Sequence, residues 1–205
     1  MKKLILFTAI LCFTSGAFAD PDIQFSPYGP TGWSYNGNYT FTFGPQDIDF
    51  VLGGQTDALF GQLVYLPDLT LSSYSSIIPG VAGTGMFAGG GVLQIKDTAG
   101  NLLAAGVLEE GSYAAVFTTS SAYPEVALDV TITQINNTIG SAYLSTLSVG
   151  MKWDLNLSLQ WNGSFDAMIT SNGTGSDGMS GSLTIPEPAT LVLLGLGALL
   201  SGRRK

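Results

Sequence analysis

The chain contains no histidine, and its single cysteine, Cys12, falls within the first twenty residues. Without imidazole there is no Ser-His-Asp or Cys-His nucleophile pair and no histidine-based zinc site. Positive charge is also scarce: 7 Lys and Arg stand against 15 Asp and Glu, for a formal net charge of −8. Lys2, Lys3, Arg203, Arg204 and Lys205 lie at the two ends, which leaves Lys96 and Lys152 as the only cations of the body. So acidic a body opposes nucleic-acid binding, which needs Lys and Arg against phosphate. It opposes anionic surfaces too, unless divalent cations bridge. Charge runs are absent while 45% of the residues are hydrophobic, so the body has the composition of a folded domain rather than a disordered one.

The N-terminus reads as a secretory signal. Met1-Lys2-Lys3 is a positive n-region, Leu4 to Phe13 an apolar h-region, and Ala17-Phe18-Ala19 an A-x-A cleavage site, so the mature protein is expected to begin at Asp20. Cys12 lies inside this signal. Ala9-Ile10-Leu11 before it lacks the small residue that lipid modification of a cysteine requires. After cleavage no cysteine remains, and the exported chain enters an oxidising compartment without disulfides.

The body, residues 20–170, is long enough for one domain with a real core. It is rich in Gly, Ser, Thr, Val and Ile, and short alternating runs punctuated by Gly, Pro and Asn predict antiparallel β structure. The longest run is Met151 to Trp161. Met151, Trp153, Leu155, Leu157, Leu159 and Trp161 fall on one face, and Lys152, Asp154, Asn156, Ser158 and Gln160 on the other. Asn162-Gly163 predicts a turn. A three-residue loop would return the chain with Phe165 opposite Trp161 and Ile169 opposite Leu157. Trp33 to Phe43 alternates in the same way, predicting Tyr35 opposite Tyr39 and Trp33 opposite Phe41. Further strands are expected at Val126 to Ile135, at Phe60 to Leu66, at Tyr113 to Thr118, and in a hairpin of Val92–Lys96 with Leu102–Leu108. Gly80 to Gly91 predicts a loop, or a strand pressed against another backbone. Residues 171–184, rich in Ser, Gly and Asn, predict a spacer. The expected fold class is all-β: a single antiparallel β-sandwich or jelly roll, with an elongated open sheet as the alternative.

Chemistry in such a body would rest on carboxylates. Glu109-Glu110, Asp47-Ile48-Asp49 and Asp166 are the candidates for acid, base or nucleophile in glycoside hydrolysis. Adjacent Glu109 and Glu110 point to opposite faces of a strand and read more simply as a solvated turn. Asp47 and Asp49 share a face at a spacing that could hold Ca²⁺, but the other oxygen ligands of a calcium loop are missing. No cofactor or metal site is expected. Among the aromatics, Trp33 and Tyr35 are the candidates for a sugar-stacking platform, against the commoner use of such rings as core.

The C-terminus carries three features in a fixed order: Pro186-Glu187-Pro188, an apolar run from Ala189 to Leu200, and the basic cluster Arg203-Arg204-Lys205. Pro188 pre-sets a helix start and Glu187 puts negative charge at the positive end of the helix dipole. The run is shorter than the about 20 residues of a full crossing, so a short transmembrane helix needs its flanks and snorkelling cations, an arrangement that suits a temporary anchor. The arginines are expected on the cytoplasmic side.

In this order and position, residues 185–205 closely resemble the PEP-CTERM sorting domain of Gram-negative exported proteins. The resemblance implies that Pro186, Glu187 and Pro188 are recognised by an exosortase, a membrane-embedded transpeptidase-like enzyme, and that Arg203, Arg204 and Lys205 are the basic stop. It implies a membrane-held precursor, removal or exchange of the tail, delivery to the cell surface or outside, and association with exopolysaccharide. With signal peptidase acting at Ala17 and Ala19, the expectation is a non-enzymatic structural or adhesive protein of a biofilm matrix. A carbohydrate-binding module is the second expectation and a carboxylate-dependent glycoside hydrolase the third.

Overall fold

Alternation along residues 152–159 builds the strand around which the barrel is organised. In a computed structural model, which describes residues 22–186 apart from 53 and 117–123, this strand runs Lys152–Leu159 with Trp153, Leu155, Leu157 and Leu159 buried. In chain order the strands are β1 (Ile23–Pro27), β2 (Trp33–Tyr35), β3 (Thr40–Phe43), β4 (Gln46–Val51), β5 (Leu63–Tyr65), β6 (Leu69–Ile78) and β7 (Ala82–Phe87). They continue as β8 (Val92–Lys96), β9 (Leu102–Val116), β10 (Glu125–Ile135), β11 (Lys152–Leu159), β12 (Gly175–Asp177) and β13 (Met179–Thr184). One short helix, α1 (Phe165–Thr170), separates β11 from β12.

The fold is all-β, but the expected sandwich is corrected to a barrel. Eight strands follow one another in the order β10-β11-β13-β1-β4-β5-β8-β9, and β9 then pairs with β10 to close the ring. Every pairing in the ring is antiparallel. The buried side chains face one another across the strands: Val126 opposite Leu157, Leu155 opposite Leu183, Leu183 opposite Ile23, and Val64 opposite Ile95. An eight-stranded barrel has an interior about wide enough for side chains to fill, and here they do.

The remaining strands spring from β9. Its 15 residues serve two neighbours along the same edge: β8 along Leu102–Val107 and β7 along Gly111–Val116. Between them lies a bulge. Leu128 pairs with Gly111 and Val130 with Leu108, so Glu109 and Glu110 together face Asp129. A bulge bends its strand and increases the twist, which steers the second half of β9 away from β8. From β7 the sheet continues through β6, β3 and β2 to β12.

Several sequence expectations meet the structure here. The β8–β9 hairpin forms with the expected ends, and residues 126–135 form most of β10. Met151 to Trp161 is right in face but not in partner. Residues 165–170 are helical, so no hairpin forms across Asn162-Gly163. Ser164 caps the helix by accepting the Ala167 amide at 3.0 Å, and that local capping bond competes with a strand return. β11 pairs with β10 and β13 instead. The first hairpin keeps its parity but lengthens its loop: Tyr35 pairs with Phe41 and Trp33 with Phe43, and Asn38 and Tyr39 adopt positive φ in the turn. Gly80 to Gly91 contains β7, and a Cβ at Gly83 would overlap the Tyr74 hydroxyl and one at Gly85 would crowd the Ser73 carbonyl, so the close-approach reading of that stretch holds. The spacer expectation for 171–184 is corrected: those residues supply β12 and β13, with Met179 and Leu183 buried. The expected signal helix, residues 1–19, and the apolar run 189–200 lie outside the described residues. Among the described residues no helix is long and apolar enough to cross a membrane.

Candidate processing site at the barrel rim

The first strand and the last strand of the barrel are neighbours. β1 and β13 pair with Ile23 opposite Leu183, which brings Asp22 and Ile185, 163 positions apart, to the same rim. Asp22 is buried at 8% exposure, and its Oδ2 accepts the Ile185 amide at 2.6 Å. The Asp22 amide in turn donates to the Leu183 carbonyl at 3.1 Å, and its carbonyl accepts the Leu52 amide at 2.6 Å. A carboxylate receiving a backbone N–H gives a charge-assisted bond, shorter and stronger than a neutral one. Ile185 is half-buried and packs on the core. The chain is thus held up to the residue before Pro186.

A second layer supports this rim. Tyr143 is buried, and its hydroxyl accepts the Trp153 indole N–H at 3.1 Å. Burial, and then the negative charge of Asp22, push the Tyr143 phenol well above its usual range, so it stays neutral. The Tyr143 amide donates to Asp57 Oδ2 at 2.9 Å, and the Leu59 amide donates to Oδ1 at 2.8 Å. Burial alone would raise the Asp57 carboxyl; these donors outweigh it and hold the group below its usual range. Asp57 therefore remains ionised and fixes the loop 141–147 against residues 57–59. Nothing in the local sequence marks Asp22 for this role. It becomes visible only when β13 lies beside β1.

The other candidates are dispersed. Trp33 and Tyr35, proposed as sugar contacts, are 1% and 0% exposed. Trp33 sits 5.3 Å from Phe165 and 5.9 Å from both Phe41 and Trp161 between ring centroids, and donates its indole N–H to the Gln160 carbonyl at 3.0 Å. Tyr35 packs on Phe41 at 5.0 Å. These rings fill a core between β2, β3 and α1, and neither presents a face to a sugar; that expectation is corrected. Glu109 lies in the β9 bulge rather than in a turn. It accepts from Lys152 at 2.7 Å and from Thr131 at 2.6 Å, and these bonds hold its carboxyl below the usual range. Glu110 is exposed. Asp47 is half-buried and Asp49 exposed on β4, and among the described residues no three potential ligands gather to hold a metal.

Asp166 is 2% exposed, in the first turn of α1. Its Oδ1 accepts the Tyr74 hydroxyl at 2.7 Å, and its Oδ2 accepts the Ser76 hydroxyl at 3.0 Å and the Gly80 amide at 2.7 Å. Burial would raise this carboxyl, but the three donors hold it below its usual range, while burial and the nearby carboxylate push the Tyr74 phenol up. Both groups keep fixed charge states at neutral pH. Asp166 braces the β6–β7 hairpin.

Of the sorting residues, Pro186 is described and half-buried, while Glu187, Pro188, Arg203, Arg204 and Lys205 lie outside the described residues, as do Ala17 and Ala19. No curated protein and no solved structure matches the chain. One family model does, and its match starts at the last residue of β13: residues 184–205 carry the PEP-CTERM protein-sorting motif, which points to an exported precursor that an exosortase sorts.

Proposed function

We propose that the mature protein is a non-enzymatic β-barrel module of the cell surface or extracellular matrix, structural or adhesive, working alongside exopolysaccharide. The observation that carries this reading is the junction itself. A filled barrel holds Ile185 through Asp22, and the sorting motif follows with no free linker between them. The side chains that could have served a sugar site or a hydrolase, Trp33, Tyr35 and Asp166, are spent on packing and bracing. The acidic body favours solubility outside the cell and opposes nucleic acid as a partner.

In this reading signal peptidase releases Asp20 as the new N-terminus while the C-terminal tail keeps the precursor in the membrane. The exosortase then acts near Pro186-Glu187-Pro188. The barrel can close only after residues up to Thr184 have been exported, because β13 lies between β11 and β1. Intact mass of protein recovered from cells and from medium tests the proposal, beside a variant with Pro186, Glu187 and Pro188 all changed to Ala. The expected wild-type product begins at Asp20 and lacks the residues beyond the motif, and the variant keeps its tail in the membrane. A secreted wild-type chain that still ends in Arg203-Arg204-Lys205 would overturn the reading. Pull-down of the processed protein with the host's own polysaccharide then tests the matrix role.

A further inference from the structure

The β6–β7 hairpin lies in one of the uncharged stretches of this acidic chain: residues 69 to 95 contain no Asp, Glu, Lys or Arg, as is also true of 23–46 and 130–151. On its outer side β6 pairs with β3 only at Leu69 and Thr70, and the Leu71 amide makes a last bond to the Tyr39 carbonyl. From Ser72 onward no described strand pairs with that side. Register shifts at Ser72 and Ile77 mark off the segment between them. The edge is rigid, because Tyr74 and Ser76 point inward to Asp166 while Ser73 and Ser75 point outward and are exposed. Ile77 and Ile78 at the tip are exposed at 64% and 53%.

The sequence of this edge is a palindrome: Ser72-Ser73-Tyr74-Ser75-Ser76. Antiparallel pairing of two copies about Tyr74 sets Ser73 opposite Ser75, Ser72 opposite Ser76 and Leu71 opposite Ile77. Small hydroxyl side chains then meet across the seam and apolar ones flank it. A two-fold interface must be self-complementary in this way. Charge favours the same partner. Two copies of a chain with net charge −8 repel wherever their acids approach, and this hairpin is an uncharged surface on which they can meet. Exposed strand edges ordinarily carry Lys or another charge, or a Pro, to prevent such pairing, and the stretch from Ser72 to Ile78 carries neither.

We propose that β6 is a docking edge for a second copy of this chain, joined by antiparallel strand pairing centred on Tyr74. The bulges at both ends stop the pairing after a few residues, so the product is a closed dimer rather than a growing sheet. It gives a surface module two sorting tails or two attachment points per unit.

Sedimentation of the mature protein recovered from medium, at on the order of 0.1 mM, tests this. Wild type is expected to sediment as a dimer. Ser73→Lys/Ser75→Lys sets like charges opposite each other, and the dissociation constant should rise about tenfold or more. Ser73→Glu/Ser75→Glu should do the same with the opposite sign. Ser73→Lys/Ser75→Glu sets each ammonium opposite the partner copy's carboxylate, and the dimer should return. Far-UV circular dichroism on each variant reports that the barrel is intact. A monomeric wild type overturns the proposal. So does a dimer that survives both like-charge variants, since it would use another surface. A mixed-charge variant that stays monomeric overturns the two-fold register.

Discussion

Asp166→Ala should be among the most damaging single substitutions in the described barrel. The carboxylate accepts from Tyr74 at 2.7 Å, Ser76 at 3.0 Å and Gly80 at 2.7 Å, at 2% exposure. A hydrogen bond to a charged group contributes about 1.5–3 kcal/mol, and three on one group are not additive. Alanine also removes the fixed point that ties α1 to the hairpin, so the expected loss is about 3–5 kcal/mol, at the upper end for one residue. Asn keeps the shape but loses the charge and turns one acceptor into a donor, so Asp166→Asn should cost about 2 kcal/mol. Urea unfolding followed by tryptophan fluorescence measures both, since Trp33 lies against Phe165, the residue before Asp166. The pH dependence has a definite sign. A carboxyl held below its usual range stabilises the fold above its unfolded-state pKa, and that contribution disappears as pH falls through its lower folded-state value. The wild-type and Asn curves should therefore be well separated at neutral pH and converge as acid protonates the folded-state carboxyl. A loss under about 1 kcal/mol for Asp166→Ala, or a gap that does not change with pH, would refute the bracing argument.

Other perturbations test the rim and the barrel wall. Asp22→Ala removes the acceptor of the Ile185 amide; stability should fall by about 2 kcal/mol and amide exchange at Ile185 should speed up, as hydrogen–deuterium exchange would show. Unchanged protection at Ile185 would mean that Asp22 does not hold the tail junction. Gly181→Val places a side chain on space taken by the Phe25 ring and the Leu157 side chain; overpacking should cost about 2 kcal/mol in chemical denaturation. Gly83→Ala should displace the Tyr74 hydroxyl from over β7 and lose part of what Asp166→Ala loses. The double variant should then cost less than the sum of the two.

The sorting tail was legible residue by residue, because such a tail is read by an enzyme and a membrane as a local pattern. Strand faces were legible for the same reason. Side chains alternate along any strand, so Trp153, Leu155, Leu157 and Leu159 had to share a side whatever their neighbours were. Even the lengthened β2–β3 turn preserved the expected parity. The local errors came where a short capping bond outweighed propensity, as at Ser164, and where a strand lacked large side chains. β13 reads Met-Ser-Gly-Ser-Leu-Thr and resembles a linker. It is a strand because Gly181 leaves room for the Phe25 ring and because two backbones were waiting to pair with it.

The sequence by itself determined the class of structure, the faces of the main strands, the acidic and histidine-free chemistry, and the route out of the cell. Only the tertiary structure decided which strands are neighbours. Alternation is the same for a sandwich strand and a barrel strand, since both bury one face. Closure depends on backbone hydrogen bonds between strands far apart in the chain, and these carry no side-chain signature. That closure put Asp22 beside Ile185, and the packing of β2, β3, β6 and α1 beside the ring buried Trp33 and Tyr35 and set Asp166 as a brace of the β6–β7 hairpin.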